Sequence, residues 1–328
     1  MLLAFAFLTG ARAVTVPAPL VDTKWLKENL DNVVILDVRN DIDSFKKRPR
    51  GAGLVNPCGP GGKKGSQPLV VAGHIPGAVL VPWKQVTGKR KVDDVEVKVL
   101  LPEKEEFEEL MQESGVNNDS AIVITSKGQQ PVHAAMAARL YWTLKYFGHD
   151  NVALLNGGTA QWRLDKNRVK FGKSDPDEGT FKVRTVRPDM LAMMDHVRKL
   201  SKGEGGDEQL LDVRGKDVYL GLTRGGRFVP PEGMGHIPGA KNFPVSFMVN
   251  TMGPAATLYS QDKTQRVAEL IGIDLSKPTT TYCDTGVFSS LGWFALHELA
   301  GNKNVRMYDG SMHEWATTGN PVARMRIE

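Results

Sequence analysis

Leu36-Asp37-Val38-Arg39, Gly73-His74-Ile75-Pro76-Gly77-Ala78 and Asn156-Gly157-Gly158, with Trp162 behind it, recur in the same order later in the chain. Their counterparts are Leu211-Asp212-Val213-Arg214, Gly235-His236-Ile237-Pro238-Gly239-Ala240 and Asp309-Gly310-Ser311, with Trp315 behind it. A triple match in fixed order, at so long a period, means two copies of one domain rather than a solenoid. Asp37 to Gly73 is 36 residues and Asp212 to Gly235 is 23, so the first copy carries 13 more. These fall in the Gly-, Pro- and Lys-rich stretch 48–67, expected as a surface loop, with Cys58 an incidental thiol within it.

Working outward, residues 14–163 form copy one, the polar turn-forming stretch 164–184 a linker, and 185–328 copy two. Short apolar runs ending in Asp (Val33 to Leu36, Gln209 to Leu211) read as buried parallel strands. Ala121 to Thr125, Asn151 to Leu155, Thr279 to Tyr282 and Asn304 to Tyr308 read likewise. Helical stretches follow at His133 to Phe147 and Ser289 to Ala300. Such alternation predicts an α/β fold, each copy a parallel sheet with helices on both faces. Ligands of such sheets bind at the carboxyl ends of the strands.

The 328 residues include 41% apolar and 24% charged residues, enough for two cores. A net charge of +5 suits small anionic partners but lacks the basic, aromatic-interleaved stripe that nucleic acid requires. Gly88-Lys89-Arg90-Lys91 reads as a solvated loop. With two cysteines, Cys58 and Cys283, and no CxxC, the chain has no disulfide framework and no zinc spacing, so no metal or cofactor is expected. The apolar run Met1 to Leu8 before Ala11-Arg12-Ala13 reads as a signal-peptide remnant over residues 1–13, hence a periplasmic or secreted protein. No later stretch reaches the ~18 apolar residues of a membrane span.

Cys283 stands at the end of strand Thr279 to Tyr282, in the loop Cys283-Asp284-Thr285-Gly286-Val287-Phe288 before a helix expected to open at Ser289-Ser290. A tight loop closing on a helix N-terminus gathers backbone N–H groups, which favours a thiolate nucleophile. Gly286 gives the turn its freedom, and Ser289 or Ser290 is the expected cap.

These features resemble the rhodanese family: the Asp-x-Arg after the first strand, the Gly-His-Ile-Pro-Gly-Ala turn, the strand–Cys–loop–helix, and the Asp-Gly-Ser…Trp. A tandem pair with Cys only in the second copy is similar to the thiosulfate and 3-mercaptopyruvate sulfurtransferases. The resemblance implies that Cys283 cycles between thiol and persulfide. It would take sulfur from a small anionic donor and pass it to a thiol or cyanide acceptor. Copy one has Thr125-Ser126 at the matching place and no thiol. The loop Cys283-x-Thr285-Gly286-Val287 is similar to the mercaptopyruvate type. Of the two substrate arginines the resemblance implies, one position holds Val218 and the other Arg227, with Arg224 nearby. It also implies proton transfer by His74 with Thr285, although His74 and His236 alike read as residues that fix their turns. Asp284 beside a thiolate disfavours it and repels a dianion, so Asp284→Gly is expected to raise turnover with anionic donors.

Two other classes compete. A Cys-loop phosphatase or arsenate reductase needs Cys-x5-Arg, and position 289 is Ser. A non-catalytic sulfur- or partner-binding protein of the same fold is the other reading, carried by the altered loop.

Overall fold

The computed structural model describes residues 14–49 and 70–325; the 1–13 segment, Cys58 and most of the long loop lie outside them. Copy one contains strands β1 (Leu20–Val21), β2 (Val34–Arg39), β3 (Val79–Pro82), β4 (Gly88–Val92), β5 (Val95–Leu100), β6 (Ile122–Ser126) and β7 (Val152–Leu155). Its helices are α1 (Thr23–Glu28), α2 (Ile42–Lys46), α3 (Lys104–Glu113), α4 (Pro131–Tyr146) and α5 (Gly158–Leu164). Copy two repeats the series with β8 (Leu191–Ala192), β9 (Gln209–Asp212), β10 (Lys241–Asn242), β11 (Val249–Asn250), β12 (Thr257–Leu258), β13 (Thr279–Tyr282) and β14 (Val305–Tyr308). Helices α6 (Met194–Ser201), α7 (Lys216–Tyr219), α8 (Gln261–Leu270), α9 (Val287–Trp293) and α10 (Ser311–Thr317) accompany them.

The two sheets are parallel and share one topology, β1-β7-β6-β2-β3 and β8-β14-β13-β9-β10. Successive side chains of a strand face opposite ways, and here both faces are buried. Leu36, Val38, Ile122 and Ile124 pack under α4, whereas Ile35 and Val123 face Leu26, Phe45 and Trp162. This is why the strands read as continuous apolar runs. Trp162 and Trp315 are core residues, each bonding a backbone carbonyl through its indole N–H.

Helix α4 opens with Pro131 at its first turn and is buried almost all round from Ala135 to Leu144. A helix without a polar face belongs between two bodies, and α4 packs on α9 of the other copy, Tyr141 edge-on to Phe294 at 4.9 Å. Each copy also sends a hairpin across. Leu101 N–H, just past β5, donates to Asp309 Oδ2 at 2.6 Å; Leu258 N–H of β12 donates to Asn156 Oδ1 at 2.8 Å. Asp309 and Asn156 are matching positions of the repeat.

Two expectations change, and the 164–184 stretch gains a place. Gly88 to Lys91 is no loop but strand β4, antiparallel to β5 across a turn in which Asp93 and Asp94 both have positive φ. Residues 164–184 lie along copy one, Lys170 pairing with the His74 backbone and Phe181 buried against Phe107. Helix α9 opens at Val287, two residues early, and passes into a π-helix over Phe294–Leu299.

Candidate active site

Cys283 follows β13 directly, at the carboxyl end of the central strand of its sheet, and is 1% exposed. Its thiol donates to Ser289 Oγ at 3.7 Å. Gly286, at φ +79°, is the residue before α9; a Cβ there would lie 2.5 Å from Asp309 Oδ1, so only glycine fits. The first intrahelical bond is Ser290 N–H to the Gly286 carbonyl at 3.3 Å. The N–H groups of Val287, Phe288 and Ser289 therefore have no acceptor inside the helix and point back along its axis toward the loop. Ser289 and Ser290 are not caps. Ser289 meets the thiol, and Ser290 Oγ lies 3.3 Å from the Ala135 carbonyl of copy one.

Ser311 fixes the loop from below. Its hydroxyl accepts from Cys283 N–H and Gly286 N–H, each at 3.1 Å, and donates to the Tyr308 carbonyl at 2.9 Å. It is fully buried with φ +51°, a conformation costly for a residue with a Cβ. Two further bonds clip the loop to α10, from Met312 N–H to the Cys283 carbonyl and from His313 N–H to the Asp284 carbonyl.

Asp284 neither faces the sulfur alone nor points to water. Oδ1 accepts from Arg214 Nη1 at 3.1 Å and Oδ2 from Gly226 N–H at 2.7 Å. Gly225 permits that approach, since a Cβ would fall 2.3 Å from Oδ1. Arg214 also grips Asp212 and the Gly235 carbonyl, as Arg39 grips Asp37 and the Gly73 carbonyl in copy one. Burial works against the Arg214 charge, but Asp212 and Asp284 outweigh it and hold its pKa above the ordinary arginine value. In copy one the remaining nitrogen of the pair bonds Ser44; in copy two it reaches Asp284 of the Cys283 loop.

The other site residues read from sequence disperse. Arg224 is exposed and bonded to carbonyls of its own loop, those of Val229 and Arg227. Arg227 lies over Phe228, which stacks on His313. These two arginines are thus beside the Asp284 latch, and no bond brings them to Cys283. His74 stacks on Phe45 at 4.0 Å, its Nδ1 within 3.0 Å of the Ile75 carbonyl. His236 stacks on Tyr219 in the same way. Burial lowers the pKa of both. Among the described residues no bond joins His74 to Thr285. The structure instead puts Arg139 and Ser311, neither singled out from sequence, against the loop.

The matching loop of copy one is filled from within. Gln129 and Gln130 N–H groups both lie 3.2 Å from His133 Nδ1, and Lys127 pairs with Asp41. Burial, then the Lys127 and Arg39 charges, lower the His133 pKa to about 4, so the ring is a neutral acceptor for these loop amides. A cavity of about 220 Å³ between the copies, lined by Arg90, Val92, Leu100, Met193, Tyr308 and Glu314, lies beside Asp309 and Gly310 rather than over Cys283.

The family of the Rhodanese-like domain matches residues 22–165 and 195–318. The chain belongs to that family, as a tandem of two such domains. It is 32% identical over 311 residues to a protein named "Putative thiosulfate sulfurtransferase" from Saccharopolyspora erythraea, covering 92% of this chain and 95% of the relative. It is also 32% identical over 321 residues to the sulfur carrier protein TtuD of Thermus thermophilus, covering 94% and 97%. Among solved structures, the 3-mercaptopyruvate enzyme SseA from Escherichia coli superposes with a TM-score of 0.66 at 24% identity, over 90% of this chain and 98% of SseA. Likeness at that identity shows the fold.

Proposed function

We propose that this chain is a sulfurtransferase moving a sulfane sulfur from thiosulfate or 3-mercaptopyruvate, through a persulfide on Cys283, to a thiol or cyanide. The observation that carries the reading is the placement of Cys283: a strand-end thiol against Ser289 in the first turn of α9, in a loop pinned by Ser311. In the first half-reaction the Cys283 thiolate attacks the sulfane sulfur. A new S–S bond forms while the donor's bond to that sulfur breaks. The bonding pair leaves on sulfite, or on the enolate of pyruvate, which then takes up a proton. In the second half the acceptor, as thiolate or cyanide, attacks the outer sulfur and returns the pair to Cys283. First-turn amides stabilise the anion present at each stage, because they are fixed donors in a site that excludes water.

A second reading has one observation in its favour. Cys283 is closed from solvent at 1% exposure, which suits a protein that holds sulfur and releases it to a docking partner; the relative TtuD is named a sulfur carrier protein. Steady-state turnover with thiosulfate and 3-mercaptopyruvate, against cyanide and small-thiol acceptors, separates the two. The enzyme reading expects turnover with at least one pair, abolished in Cys283→Ala. A persulfide that forms without turnover with any acceptor favours the carrier.

A further inference from the structure

Copy one has no nucleophile, yet it supplies a buried cation to the nucleophile loop. Arg139 on α4 is fully buried, and its Nη1 bonds both Asp309 Oδ1 and, at 3.4 Å, the Gly286 carbonyl. The guanidinium rests over Trp142, and among the described residues its Nε and Nη2 have no partner. Asp309 in turn takes Leu101 N–H from copy one with its other oxygen. The pair thus ties α4, the β4–β5 hairpin, the Asp309 turn and Gly286 together across the domain boundary.

The arrangement is one-sided. Helix α9 of copy two (Val287–Trp293) carries no charged residue to match Arg139 of α4. The neutral Asn156 of copy one therefore meets no arginine from α9, whereas the loop that holds Cys283 faces Arg139 and Asp309. A device needed only to join the domains would serve equally on either side. The pseudo-symmetric neutral contact, Leu258 N–H to Asn156, shows that the junction forms without a charge pair.

We propose that Arg139 is a positioning residue for the Cys283 loop, acting from the domain without a nucleophile through the Gly286 carbonyl and Asp309. This rests on the reading of Cys283 as the sulfur-carrying nucleophile. The physical link is the planar trans peptide. The Gly286 carbonyl and the Val287 N–H belong to one peptide plane and point in opposite directions. A donor that holds the carbonyl from the α4 side therefore aims the Val287 N–H into the loop. Ser311, holding Gly286 N–H, fixes the neighbouring peptide. Two charge pairs bond the loop, Arg214 with Asp284 and Arg139 with Asp309, and the first-turn amides of α9 have no acceptor inside the helix.

Full-length protein carrying Cys58→Ser, so that Cys283 is the remaining cysteine, is treated with iodoacetamide across pH, with no donor present. This readout does not depend on turnover, so it separates failure of this proposal from failure of the sulfurtransferase reading. Arg139→Gln alone leaves Asp309 buried without its cation and is expected to lose stability. The test therefore uses Arg139→Gln with Asp309→Asn, a neutral pair of similar shape. The expected result is a folded protein whose alkylation at pH 7 is about tenfold slower, its pH profile displaced upward by about one unit. Arg139→Lys keeps the charge but replaces the planar guanidinium, whose Nη1 meets both acceptors, with a flexible ammonium, and should give a smaller displacement in the same direction. A folded double variant with the parent's profile overturns the proposal. If the double variant does not fold, a lysine variant whose profile superimposes on the parent's overturns it equally.

Discussion

Asp284→Gly is the change for which the structure reverses the expectation drawn from the chain alone. A carboxylate beside a thiolate, considered by itself, repels both the thiolate and an incoming anion, and its removal should raise turnover. In the fold that carboxylate is latched on two sides, by Arg214 at 3.1 Å and Gly226 N–H at 2.7 Å, with its side chain 20% exposed. Hydrogen bonds to a charged group contribute roughly 1.5–3 kcal/mol each in favourable settings. Arg214 keeps Asp212 and the Gly235 carbonyl, and the freed Gly226 amide is partly wetted, so the net loss is about 2 kcal/mol. The effect is also local: the 224–229 segment, with Arg224 and Arg227, loses its tie to the nucleophile loop. The expected outcome is a lower denaturation midpoint and a roughly tenfold lower kcat/KM for anionic donors, mostly through KM. Asp284→Asn, which keeps an acceptor for Gly226, should fall between. Steady-state kinetics at two salt concentrations beside urea denaturation measure both. A rise in kcat/KM with an unchanged midpoint would refute the latch and restore the electrostatic argument.

Other predictions follow from the same geometry. Ser311→Ala removes the acceptor of two loop amides and one donor while keeping the strained φ, so stability should fall by about 2–3 kcal/mol at roughly 1 kcal/mol per bond, read by urea denaturation. His133 titrates near 4 in the folded chain against an ordinary 6.5. The unfolded chain therefore takes the proton first, and His133 contributes stability that is complete above about 6.5 and declines as pH falls toward about 4. Burial lowers His74, His149, His236 and His313 in the same sense. His133→Gln should flatten part of that acid limb in urea midpoints taken between these pH values, and an unchanged limb would remove His133 from the account.

The repeat made the fold legible because its three motifs sit where strands turn into loops, and there side-chain chemistry is specific. Asp212 and Arg214 stand in one of these motifs, and Arg214 ties the end of β9 to the Gly235 carbonyl. The β4–β5 hairpin was missed although Val95, Val97 and Val99 alternate with Glu96 and Lys98, a strand signal. The basic run before it obscured the signal, as did a turn made by Asp93 and Asp94 rather than by glycine. The start of α9 was misread because Val287 and Phe288 are poor first-turn signals, while Gly286 as the residue before the helix depends on a φ that sequence does not display. Arg139 was invisible for a different reason. On an apolar helix a lone arginine reads as its solvated face, and only the docking of two copies, a contact far apart in sequence, buries it. The same docking fixes the partner of Asp309, which the repeated Asp-Gly-Ser motif does not display.

The most direct measurement of the central claim is intact mass after exposure to thiosulfate or 3-mercaptopyruvate and removal of excess donor, followed by peptide mapping. The account predicts one added sulfur, ~32 Da, confined to Cys283, retained in Cys58→Ser, absent in Cys283→Ala, and discharged by cyanide. An added sulfur on Cys58, or equal loading of Cys283→Ala, would contradict it.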